Sequence, residues 1–82
     1  MIPMDTQKLV SMANQIAAFF AAEPDRKAAV DGVVGHLRRF WEPRMRRELL
    51  AAFDAGPTGL HELVVAALQQ HRPQLEPARS AG

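Results

Sequence analysis

His61 and Glu62 open the pattern H-E-x-x-H, in which two histidines one helical turn apart share a zinc ion, but the fifth position is Val65. His36 and His71 have no histidine three or four residues away, so the spacing offers no metal site. The hydroxyl candidates are Thr6, Ser11, Thr58 and Ser80. None sits in a G-x-S-x-G elbow, and no glycine-rich loop ends in the lysine that a phosphate site needs. Cysteine is absent, which removes a thiolate nucleophile, a disulfide framework and a zinc knuckle. No catalytic, cofactor-binding or metal-binding residue is expected from these types and spacings.

The segment His36-Leu37-Arg38-Arg39-Phe40-Trp41-Glu42-Pro43-Arg44-Met45-Arg46-Arg47 carries a different chemistry. It crowds guanidinium groups around the only tryptophan and a proline. Arginine and tryptophan dominate protein–protein hot spots, because each joins a large desolvated area to directional polar contact. Arginine also grips carboxylates bidentately. A lone tryptophan in a small domain is by itself a core residue, and arginines a solvated face. Crowding shifts the balance, since Glu42 and Glu48 can neutralise only two of the like charges. Arg38, Arg39, Trp41, Arg44, Arg46 and Arg47 are therefore the expected contacts to an acidic or polar partner. Asn14 and Gln15 join them as an amide pair in an otherwise apolar stretch. Asn14, a poor helix former, is expected either to bond across to the Glu42-Pro43 corner or simply to face water.

The elements that position these residues read as four helices separated by proline or glycine. The first spans about Thr6 to Ala22, capped by Asp5, with Leu9, Met12, Ala13, Ile16, Phe19 and Phe20 as its apolar stripe. Glu23-Pro24 stops it. The second spans about Asp25 to Trp41 and buries Val30, Val33, Val34, Leu37 and either Phe40 or Trp41. Those two aromatics lie about 100° apart on a helix, so one is pushed to the rim beside Arg44. Gly32 and Gly35, inside this helix, favour close packing of another helix over a nucleic-acid clamp. Pro43 starts the third helix, which turns Met45, Leu49 and Phe53 inward and closes at Asp54-Ala55-Gly56. Thr58 caps the fourth, whose apolar face is Leu60, Leu63, Val64, Ala67 and Leu68. The expected architecture is all-α, a compact small bundle of four short helices spanning residues 5–71, with a flexible, disordered C-terminal tail over residues 72–82.

Composition agrees with a single small domain. The chain has 82 residues, 48% hydrophobic and 23% charged, with a formal net charge of +1. That balance is globular, not disordered, and supplies no bulk field for nucleic acid or anionic lipid. A domain this short has a thin core. The N-terminal stretch lacks the basic start of a secretory signal, and the longest apolar run falls far below a membrane span. A soluble cytoplasmic protein with no membrane contact is the default expectation.

The strings Met12-Ala13-Asn14-Gln15-Ile16-Ala17-Ala18-Phe19-Phe20, Glu23-Pro24 and His36 through Arg46 resemble the small delta subunit of the soluble, NAD-dependent, molybdenum- or tungsten-containing formate dehydrogenases of bacteria. The resemblance runs from about Lys8 to Leu68, more loosely around Gly59-Leu60-His61. It implies a non-catalytic accessory subunit that binds no cofactor itself. Such a subunit docks on the large catalytic subunit, which holds the molybdenum cofactor and iron–sulfur clusters, and supports its assembly, stability or cofactor insertion. The family's catalytic residues belong to other chains, so none transfers here. The residues themselves leave two further readings. One is a helix-turn-helix-like nucleic-acid-binding module using the same arginines, against which the near-zero net charge and interspersed glutamates argue. The other is a homodimer when the chain is isolated.

Overall fold

The computed structural model describes residues 5–56 and 59–77, which form four principal helices and one short one. In chain order they are α1 (Thr6–Phe20), α2 (Arg26–Phe40), α3 (Pro43–Ala55), α4 (Glu62–Gln70) and α5 (Arg72–Leu75). The all-α bundle expected from the sequence is what the described residues form. Asp5 and Asp25 cap α1 and α2, each accepting the backbone N–H two residues on at 3.0 Å. Pro43 opens α3, where its missing N–H costs nothing. Gly56 closes it with φ of 153°.

The bundle is organised around α2, which packs on α4, α1 and α5. The Pro43 corner carries α3 away from α2, so α3 packs chiefly on α1 and α4. Leu37, Leu49, Leu68, Leu75, Val33 and Val64 are the largest fully buried side chains, and no polar or charged residue is buried among the described ones. The buried line of α1 is Leu9, Ala13 and Ala17, narrower than the stripe expected from spacing. Met12 and Phe19 turn outward.

Gly32 of α2 meets Phe20 of α1. A Cβ there would lie 2.4 Å from both Cδ1 and Cε1 of Phe20, so the glycine is the seat of the Phe20 ring. Gly35 has nothing within 4 Å of where a Cβ would stand. The two glycines therefore respond oppositely to a methyl group. Gly35→Ala is expected to stabilise the fold by about 0.5–1 kcal/mol through helix propensity. Gly32→Ala gains the same propensity but must expel Phe20, and is expected to be neutral to about 1 kcal/mol destabilising. Urea denaturation of the two variants at low protein concentration checks the contrast.

Past Gln70 the chain does not fray at Arg72. Pro73 stands in the first turn of α5, a position that tolerates proline, and Leu75 is only 1% exposed. Arg72 grips Asp54 through both terminal nitrogens at 2.8 and 2.7 Å and reaches Glu76 at 2.9 Å, tying α5 to the end of α3. That hydrogen-bonded fork holds the Asp54 carboxyl below the usual carboxylate range. The packed chain thus continues to Pro77, beyond the expected limit at residue 71. The rest of the expected tail, 78–82, lies outside the described residues, as does the expected cap Thr58.

Candidate functional site

The α2–α3 corner is shaped by the proline rule. Glu42, which precedes Pro43, is held extended at φ −63°, ψ 153°. Trp41 is already out of the helix at φ −92°, ψ 131°, with its N–H still bonded to the Leu37 carbonyl at 3.2 Å. This early exit swings the indole inward. Trp41 is 5% exposed and belongs to the core, whereas Phe40 is 70% exposed. The ring of Trp41, expected as a partner contact, is sealed within the bundle, and Phe40 is the aromatic at the rim.

The guanidinium groups are placed otherwise. Arg38, Arg39, Arg44 and Arg47 are exposed, and Arg46 is half-buried along the inner side of α3. Among the described residues none of the five has a carboxylate within ion-pair distance, although Arg26 and Arg72 both do, with Glu62 at 2.8 Å and Asp54 at 2.7 Å. Glu42 and Glu48, expected to neutralise two of the corner arginines, pair with neither. Glu48 instead accepts the Thr6 hydroxyl at 3.3 Å. The Nε of Arg46 is buried without a hydrogen-bond partner.

Local electrostatics sharpen the contrast. Arg38 and Arg39 lie in the last turn of α2, where the helix dipole welcomes cations. Arg44, Arg46 and Arg47 lie near the start of α3, whose first turn has no acidic residue, so they face the positive end of that dipole. Three like charges in an unfavourable field, with no counter-ion among the described residues, form a surface that an anionic group would relieve.

Asn14 is used elsewhere. Its Nδ2 donates to the Gly59 carbonyl at 2.8 Å, and its Oδ1 accepts the His61 N–H at 2.8 Å. The orientation of the amide follows, since a carbonyl can only accept and a peptide N–H only donate. Asn14 therefore clamps the α3–α4 connection to α1 and does not reach the Glu42-Pro43 corner. Gly59 meets it at φ 89°, a conformation that suits glycine. With both ends of its amide engaged within the chain, Asn14 is a structural clamp, while neighbouring Gln15 is exposed. His61, whose pairing with Glu62 only begins a zinc pattern, caps α4: its Nδ1 accepts the Leu63 N–H at 3.1 Å. No group of three or more potential metal ligands occurs among the described residues, and none of their helices is long and apolar enough to cross a membrane.

Spacing left open which of Phe40 and Trp41 stands at the rim, and it missed the His61 cap. The first turned on where α2 ends, and the proline rule constrains only Glu42, the residue before Pro43. The second had no clear signal, since histidine is not a preferred capping type.

The family model of the NADH-dependent formate dehydrogenase delta subunit, FdsD, matches residues 8–68. This chain belongs to the delta-subunit family. The matched stretch begins in the first turn of α1 and ends within α4, so it takes in the Asn14 clamp and the whole arginine corner, and it leaves out α5. No curated protein and no solved structure matches the chain. A delta subunit is one component of a formate dehydrogenase complex, so partner subunits are implied.

Proposed function

We propose that this delta subunit is a non-catalytic accessory chain that docks on the large catalytic subunit of formate dehydrogenase through its α2–α3 corner. Arg38, Arg39, Arg44 and Arg47 are the contacts, Phe40 takes the place first expected of Trp41, and Gln15 remains as a polar flank. Arg46 lies beneath these contacts, half-buried and with its Nε unpartnered among the described residues. The single observation carrying this reading is that these five guanidiniums lack internal counter-ions among the described residues, while Arg26 and Arg72 have them. The expected acceptor is a carboxylate-rich patch on the partner. Docking would support the partner's assembly, stability or molybdenum-cofactor insertion in the cytoplasm.

The test is to express the large subunit with this chain, without it, and with the variant Arg38→Glu/Arg44→Glu/Arg47→Glu, then measure co-purification and bound molybdenum cofactor. The variant should keep wild-type helical content and yet lose the large subunit, a drop of at least about 100-fold for three reversed rim charges. Native-strength co-purification would sink the docking assignment. Cofactor loading that is equal with and without the chain would assign it a bracing role in place of a maturation role.

A further inference from the structure

A groove of about 400 Å³ runs along the outer side of α2, lined by Phe20, Asp31, Gly32, Gly35, His36, Arg39 and Phe40. Its walls are aromatic. Phe40 is 70% exposed, and Phe19, 75% exposed, stands edge-on against Phe20 at 5.1 Å. Gly32 is explained by the Phe20 ring, but Gly35 is not: among the described residues no side chain or other element lies within 4 Å of where its Cβ would stand, and a mid-helix glycine costs about 1 kcal/mol against alanine. A position kept bare without internal need suits the close approach of something external.

The charges on this face say what fits. Asp31, Gly35 and Arg39 are spaced four residues apart, so they form one row on the helix surface. Arg39 has no carboxylate partner among the described residues. Asp31 holds Lys27 at 3.1 Å and His71 at 3.6 Å, yet its side chain remains 47% exposed. The row has opposite charges at equal distances, about 6 Å along the axis, on either side of Gly35. Such a row is complementary to itself when turned end for end. Laid antiparallel on a second copy, with the two-fold axis at Gly35, Asp31 of each chain meets Arg39 of the other. Phe40, one residue beyond Arg39, then lies at the Asp31 end of the partner copy's groove.

We propose that α2 is a self-association face, on which a second copy of this chain docks antiparallel about Gly35. The contact is isologous, each copy giving and receiving the same groups. It shares Arg39 and Phe40 with the surface proposed for the large subunit, so the two associations would compete, and it is tested on the isolated full chain.

Sedimentation equilibrium of the wild type should show a reversible dimer. Asp31→Arg alone and Arg39→Asp alone each place like charges opposite one another twice per dimer, and each should weaken association by roughly tenfold or more. The double variant Asp31→Arg/Arg39→Asp restores both pairs and should recover the wild-type dimer. Gly35→Leu, which fills the axis but is compatible with the helix, should abolish the dimer with circular dichroism unchanged. A wild type that stays monomeric at millimolar concentration overturns the proposal. So does a dimer indifferent to all these changes, or a double variant no better than the singles. If the wild type is monomeric and Phe40→Ser loses the large subunit, the groove belongs to that partner and the second copy is ruled out.

Discussion

Trp41→Ala is expected to unfold this protein or nearly so. The indole is 5% exposed at the point where the chain turns from α2 into α3, in one core with Leu37, Leu49 and Leu50. Removing a buried aromatic of this size costs about 3–5 kcal/mol through lost transfer energy and the cavity left behind. A domain of this length has only about 4–12 kcal/mol in total at ordinary per-residue stabilities. Urea denaturation followed by circular dichroism checks it, and a midpoint within experimental error of wild type would contradict the buried placement. Phe40→Ala is the control. Its ring is 70% exposed, so its stability should change by less than about 0.5 kcal/mol.

Asn14→Ala is expected to cost about 2 kcal/mol, a large effect for a polar residue for which facing water is one of the two expectations from sequence. Two hydrogen bonds of 2.8 Å are lost, and a peptide N–H and a carbonyl in the α3–α4 connection lose their partners. The variant Asn14→Asp separates the two bonds. It keeps an acceptor for the His61 N–H but sets a carboxylate oxygen against the Gly59 carbonyl, so it should be no more stable than the alanine variant. Thermal unfolding of the two proteins decides this. Wild-type stability in Asn14→Asp would mean that the donor half of the clamp contributes nothing.

These two residues mark how far the sequence could be read. Helix number, caps and the proline corner were legible because each depends on local chemistry: Asp5, Asp25 and Pro43 act on their own turn of backbone. Which aromatic turned inward depended on whether α2 ended before or after Trp41, a one-residue boundary that helical spacing does not resolve. Asn14 was singled out as anomalous, but its partners lie 45 and 47 residues away, and only the packing of α4 against α1 brings them near. Leu75 illustrates the same limit. Two prolines made its surroundings look like a tail, while burial against α2 and the Arg72–Asp54 fork are tertiary facts. The arginine corner needed both views. Its crowding was plain in the sequence, but the lack of internal counter-ions appeared only once Glu48 was seen bonded to Thr6.

The docking claim meets its most direct test in the salt dependence of binding to the large subunit. The wild-type chain and the neutral variant Arg38→Gln/Arg44→Gln/Arg47→Gln would be titrated against the purified partner at about 0.01 M and about 1 M salt, where the screening length falls from roughly 30 Å to 3 Å. Wild-type affinity should fall steeply with salt, and the variant should be weak at low salt and nearly indifferent to it. Wild-type binding that ignores salt, or a variant that binds as tightly as wild type, would contradict the account.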